Sequence, residues 1–240
     1  MKLTNRLVLA LVAVGSIALS AVHPAQAEPA ANGLGFMAVP GVIAGTSPDG
    51  LGTWSVHYQR INGGDPEVAK VINGGIDAEA MRQVQTMTWD GSTKRPWTFN
   101  ATGTAFVRPI TVSELFVGEY NVAEPNMPID YLASVVFDSR SGIRITWDNL
   151  FRDKQAGLVR LSEQTAAILP TVRPPAYPTE WQHSGQLAPM DINFKYWIPT
   201  AEGIELHFPE YQFGRGLKVI TVAWAKVADL IAPPFVPIMH

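Results

Sequence analysis

The chain has 240 residues, 18 basic and 21 acidic side chains, a formal net charge of −3 and no cysteine. The missing cysteine excludes disulfides, thiolate metal sites and a cysteine nucleophile together, and with no basic block anywhere, nucleic acid is not an expected partner. Apolar residues make up 47% of the chain, with seven Trp, six Tyr and ten Phe, enough for a core that holds an exported domain without cross-links.

Lys2 and Arg6 precede an apolar run from Leu7 to Ala21 that ends in the small-residue triplet Ala25-Gln26-Ala27. This is the pattern of a secretory signal peptide cut after Ala27. Its apolar core of about 15 residues is shorter than the ~20 a spanning helix needs, so no stable membrane span is expected after cleavage, the alternative being retention as an anchor. Without Lys2 and Arg6 the balance is 16 basic to 21 acidic side chains, or −5. The expected location is the medium or the cell envelope.

Residues 28–52 are rich in Ala, Gly and Pro without a sustained period and read as a flexible leader. A single domain over residues 53–232 follows, with 233–240 as a tail. Trp54 to Ile61 alternates as a strand. Asp65, Pro66 and Glu67 open a helix, with Asp65 as cap, and Val68, Val71, Ile72, Ile76 and Ala80 continue it at helical spacing towards Val84. Gly74-Gly75 inside it marks either a close packing contact or a break. Three β-rich pieces come next: Met87 to Trp89, Trp97 to Val107, and Val112 to Val122.

The stretch from Val136 to Phe151 reads as a hairpin. Asp138 to Gly142 makes the turn, and the second arm sets Ile143, Ile145 and Trp147 on one face against Arg144, Thr146 and Asp148 on the other. A second helix follows, with Leu158, Leu161, Thr165, Ile168 and Leu169 on one side and Pro170 as its stop. Thr171 to Pro189 is an irregular loop carrying Tyr177, Trp181 and His183 among its prolines. Met190 to Ile198 pairs with Ile204 to Phe208 in a second hairpin, Leu217 to Trp224 is a buried strand, and Lys226 to Ile231 forms a short closing helix. Hairpins where a parallel fold would need crossovers imply an α+β fold with a mainly antiparallel sheet and two principal helices packed on one face.

Four residue sets, in this order, resemble a known family. They are Gly64-Asp65 through Ile72-Asn73 to Ile76; Phe137-Asp138 to Gly142 with Ile145-Thr146 and Leu150-Phe151; Ile204 to Phe208 after Glu202-Gly203; and Phe208-Pro209-Glu210-Tyr211 with Gly214 to Gly216. Together they look like the extracytoplasmic domain shared by the C-terminal region of the anti-sigma factor RsiV and the mycobacterial immunogenic secreted proteins. The resemblance implies a single extracytoplasmic α+β domain with a β-grasp-like core. Glu124-Pro125-Asn126 keeps only part of the element that family members place before the central hairpin, and the cysteine pair of many secreted members is missing.

No sequence signature settles a chemistry. Some secreted members of the family have been proposed as esterases, and the residues that could serve are Ser184, His183 and Asp191, although the Gly-x-Ser-x-Gly elbow is absent. His57, His183, His207 and His240 are too scattered for a metal site, with His207 expected on the exposed side of its strand, and no cofactor motif surrounds Gly63-Gly64 or Gly74-Gly75. Tyr177, Trp181, Tyr196, Trp197 and Tyr211 form either an exposed recognition cluster or the cover of a second sheet face. The expected function is a secreted, non-catalytic binding domain for a protein, glycan or lipid. A carboxylic-ester hydrolase and a structural envelope component are the alternatives.

Overall fold

The computed structural model describes residues 34–172 and 184–240; the signal-like segment, Tyr177, Trp181 and His183 lie outside them. The fold is α+β and mainly antiparallel. The first sheet runs β1 (Met37–Thr46), β2 (Gly52–Asn62), β3 (Trp97–Val107), β4 (Thr111–Val122) and β5 (Ile129–Asp138), in that spatial order. All neighbours are antiparallel except β2 and β3, which α1 (Pro66–Asp90) connects as a crossover. The second sheet is β6 (Tyr196–Pro199), β7 (Gly203–Phe208) and β8 (Lys218–Ala223), all antiparallel. No helix among the described residues is long and apolar enough to cross a membrane.

Asp65 starts α1 by accepting the amides of Glu67 and Val68 at 2.9 and 3.2 Å, which satisfies donors that the first turn leaves without partners. Ala69, Ile72, Ile76, Ala80, Val84 and Met87 are buried on one side of the helix. It continues through Met87 to Trp89, so the first expected β piece is helical; this apolar spacing simply extends the helix stripe. The paired glycines do not break it. Gly74 faces open space, whereas a Cβ on Gly75 would collide with the Phe137 ring, so Gly75 is where α1 touches β5.

Strand β5 is a wall with two sides. Ala133, Val135 and Phe137 pack into one apolar cluster with α1, and Val136, pointing the other way, packs into a second cluster with Ile145, Trp147 and the second sheet. The two principal helices therefore divide: α1 packs on the first sheet, while α3 (Lys154–Val172) packs on β8 in the second cluster. Pro170 does not stop α3, which runs on through Val172. Polar ties join the clusters, as the Arg108 guanidinium donates to the carbonyls of Thr200 and Ile238, and Arg140 donates to Pro234 O at 3.0 Å.

Three expectations change. The leader contains β1, an edge strand that pairs along its whole length with β2; Pro40 is tolerated because an edge has a side with no ladder to feed. The tail is a 3₁₀ segment, Pro233–Met239, with Phe235 and Ile238 buried in the second cluster. The central hairpin has a return arm of a single bridge, Phe137 to Arg144, before the Thr146 amide donates to Asn149 Oδ1 at 2.8 Å and the short α2 (Trp147–Leu150) begins. Ile143 is consequently 58% exposed instead of sharing a buried face with Ile145.

A side-chain patch fills a gap in the first sheet. The β2–β3 ladder ends at His57 opposite Thr102. Beyond it Glu114 Oε1 accepts the Gln59 amide at 2.8 Å, and Gln59 Oε1 accepts the Ala105 amide at 2.7 Å, so two side chains stand in for the missing backbone bonds. Glu114 is fully buried, and burial pushes its carboxyl up to about 8.

Candidate functional site

The two sheets meet at a cleft, and its floor is set first. Ser134 Oγ on β5 accepts the Trp197 amide at 2.9 Å, which pins β6 against β5. The Trp197 ring stacks on Trp147 with centroids 4.5 Å apart, Trp147 stacks on Phe151, and the Trp147 indole N–H donates to Phe194 O at 3.0 Å. Trp197 is only 4% exposed. It is therefore a core residue and not the exposed anchor its strand alternation suggested. The reason is local: Asp191–Phe194 is a 3₁₀ turn, so β6 begins only at Tyr196 and the alternation from Met190 to Ile198 does not hold.

Charged side chains rim this floor in two connected hollows of about 200 and 300 Å³ that share Ser134, Arg144 and Lys195. On the α1 side, Glu79 is buried and takes both guanidinium hydrogen bonds of Arg82, which raise Arg82 above its usual range; Arg144 lies 3.9 Å from the same carboxylate. On the α2 side, Lys154 Nζ bridges Asp148 at 2.9 Å and Asp191 at 2.5 Å, and the two acids raise it. Lys195 Nζ sits 5.2 Å from the centroid of the Tyr196 ring. Burial raises Tyr131 and Tyr196, keeping both phenols protonated and able to donate. Three cations, Arg82, Arg144 and Lys195, and three carboxylates, Glu79, Asp148 and Asp191, line the hollows; Arg82 engages Glu79 and Lys154 engages both aspartates, which leaves Arg144 and Lys195 with the least counter-charge where they converge.

The structure thus brings Asp191, Tyr196 and Trp197 to one cleft. Tyr211 is elsewhere, 58% exposed in a turn with positive φ. Ser184 is exposed and its hydroxyl is 3.0 Å from Gln186 Oε1, while Asp191 is engaged by Lys154. Another serine, Ser55, does meet a histidine: its Oγ lies 3.0 Å from His57 Nε2 on the open face of the first sheet. Glu119 and Asp130 line the same shallow hollow, but among the described residues no hydrogen bond joins an acid to His57 to orient it as a base. His207 is nearly buried with its Nε2 2.9 Å from Glu205 Oε1, contrary to its expected exposure, and burial lowers it.

The sequence reading missed Ser134, Glu79, Arg82, Arg144 and Lys195. The Glu79–Arg82 pair carries a signal, acid and base at i and i+3 on one helix. Arg144 and Lys195 look in sequence like any solvent-facing residue of an alternating strand.

No protein-family profile matches this sequence, and no curated protein does. Two solved structures are similar to it. A DUF3298 family protein from Pseudomonas aeruginosa PAO1 gives a TM-score of 0.52 at 8% identity, over 85% of this chain and 96% of the other. A DUF3298 member from Bacteroides fragilis NCTC 9343 gives 0.57 at 9% identity, over 88% and 98%. At such identities the likeness establishes the fold alone: the chain has an architecture found in DUF3298 proteins.

Proposed function

We propose that this chain is an exported binding domain of the cell envelope or medium that holds a macromolecule in the cleft between its two sheets. The observation that carries the reading is the convergence of Arg144, Lys195 and Tyr196 over a floor immobilised by the Trp147–Trp197 stack. A fixed floor and a half-buried aromatic beside two exposed cations favour recognition, because only the Arg144 and Lys195 side chains remain to be ordered on binding. The hollows are shallow, which suits a macromolecule better than a small substrate that must be enclosed. Export rests on the pattern from Lys2 to Ala27 and on the resemblance to the RsiV and immunogenic secreted domains.

The test is fluorescence anisotropy with three labelled probes, lysozyme, a chito-oligosaccharide and a glutamate-rich peptide, against purified protein. Saturable binding of at least one, lost in Thr146→Trp, which plugs the cleft, is the expected result. No binding of any probe, or binding indifferent to the plug, overturns the reading. Turnover of a chromogenic short-chain ester that disappears in Ser184→Ala would put the esterase in its place.

A further inference from the structure

Resting on that reading, we propose that the partner held in the cleft is an acidic polypeptide segment, with a carboxylate seated between Arg144 and Lys195 and an apolar side chain against Trp89. Among the described residues Lys195 has no ion pair, only the Tyr196 ring beneath its ammonium, and Arg144 stands 3.9 Å from a carboxylate that Arg82 already occupies on both oxygens. Two cations sharing one rim and lacking a full counter-charge form a subsite for an anion. The protonated Tyr196 phenol beside them adds a neutral donor.

Trp89 extends the surface. It stands seven residues after Arg82 in α1, which returns it to nearly the same side of the helix about 10 Å farther along the axis. Its side chain is 89% exposed, the most exposed large apolar group described, and Ile129 at the start of β5 is exposed in a hollow that Met87, Tyr120 and Tyr131 line together with Asp90 and Asp130, so this end of the surface suits an apolar side chain and the carboxylate belongs at the Arg144–Lys195 end. An indole left in water near a cationic rim brings together the residue types that anchor protein interfaces, Arg, Tyr and Trp. That composition favours a polypeptide over an acidic glycan, and the Arg144–Lys195 pair, short of counter-charge, sets its sign.

The experiment uses the full exported chain and a labelled peptide of alternating glutamate and leucine, with polygalacturonate as the glycan carboxylate and a lysine–leucine peptide as the charge control. The acidic peptide is expected to bind saturably and to weaken as salt rises. The double variant Arg144→Glu, Lys195→Glu should lose at least about tenfold in affinity and Trp89→Ala about threefold. Lys70→Glu, in the first turns of α1, should change nothing. Both cleft cations are exposed, and a thermal melt verifies folding of the double variant. Tighter binding of polygalacturonate than of the peptide overturns the polypeptide assignment. Binding of lysozyme or chito-oligosaccharide with the acidic peptide silent overturns the anion subsite while leaving the cleft reading standing; silence of every probe removes both.

Discussion

The two sides of β5 solve the problem of a closed core differently. Towards α1, the first sheet has long ladders and one gap, and it fills the gap with buried polar groups, Glu114 and Gln59. Towards the second sheet, the strands are short, 3₁₀ turns link them around α3, and the packing depends on a run of rings, Phe151, Trp147 and Trp197. The contrast shows where each half is vulnerable. A half completed by a buried carboxyl is sensitive to pH, and a half completed by aromatic burial is sensitive to volume.

The largest expected effect is on the aromatic side. Trp197→Ala should cost about 3–5 kcal/mol, the usual loss for a buried ring, and chemical denaturation should find that loss equal at pH 5 and pH 8.5. A variant that melts with the wild type would show the stack to be dispensable and the cleft floor to be held by Ser134 alone.

Next comes Glu114. Its carboxyl sits at about 8 in the folded chain against 4.5 for the free group, so the folded state binds the proton more tightly. Stability is then fullest below pH 4.5 and declines as pH rises to 8, by about 4 kcal/mol. Glu114→Gln keeps an acceptor for the Gln59 amide and cannot ionise, so its stability should exceed that of the wild type at pH 8.5 and lose this part of the slope. His207 works with the opposite sign, since burial lowers its imidazole and stability falls as pH drops through its ordinary range. The difference between wild type and Glu114→Gln removes the His207 contribution, which both share. Parallel pH profiles for the two proteins would refute the assignment.

What the sequence disclosed follows the same division. Strand β3 was legible to the residue and β2 nearly so, because period-two alternation has a direct physical cause in one-sided burial, while β4 and β7, buried on most residues, were legible as apolar runs between turn signals. Strand β1 was hidden because small residues and Pro40 on an edge leave little contrast between its faces. In the second half, 3₁₀ turns at Asp191–Phe194 and Pro233–Met239 carry no period to find. The cleft was half legible: aromatic content pointed to Tyr196 and Trp197, but which of them faces water depends on where β6 starts. Arg144 and Lys195 gain meaning only from the strand and helix that three-dimensional packing brings beside them.

Two smaller effects separate what holds the cleft together from what it offers. Glu79 is buried between Arg82 and Arg144, so Glu79→Gln leaves two guanidinium groups facing each other without their carboxylate. Both arginines are roughly half exposed and water can screen them, which brings the expected loss to about 1–3 kcal/mol, below the usual cost of breaking a fully buried pair. Arg144→Gln removes the outer, longer contact of the same set, and its stability should stay within about 1 kcal/mol of wild type, as for an exposed pair. Thermal melts of the two variants side by side decide the matter. If Arg144→Gln proved as damaging as Glu79→Gln, the Arg144 guanidinium would be a fixed part of the wall, already committed to Glu79 and with no charge to spare for a partner; near-wild-type stability leaves it as a group held in place at the rim with its charge still available.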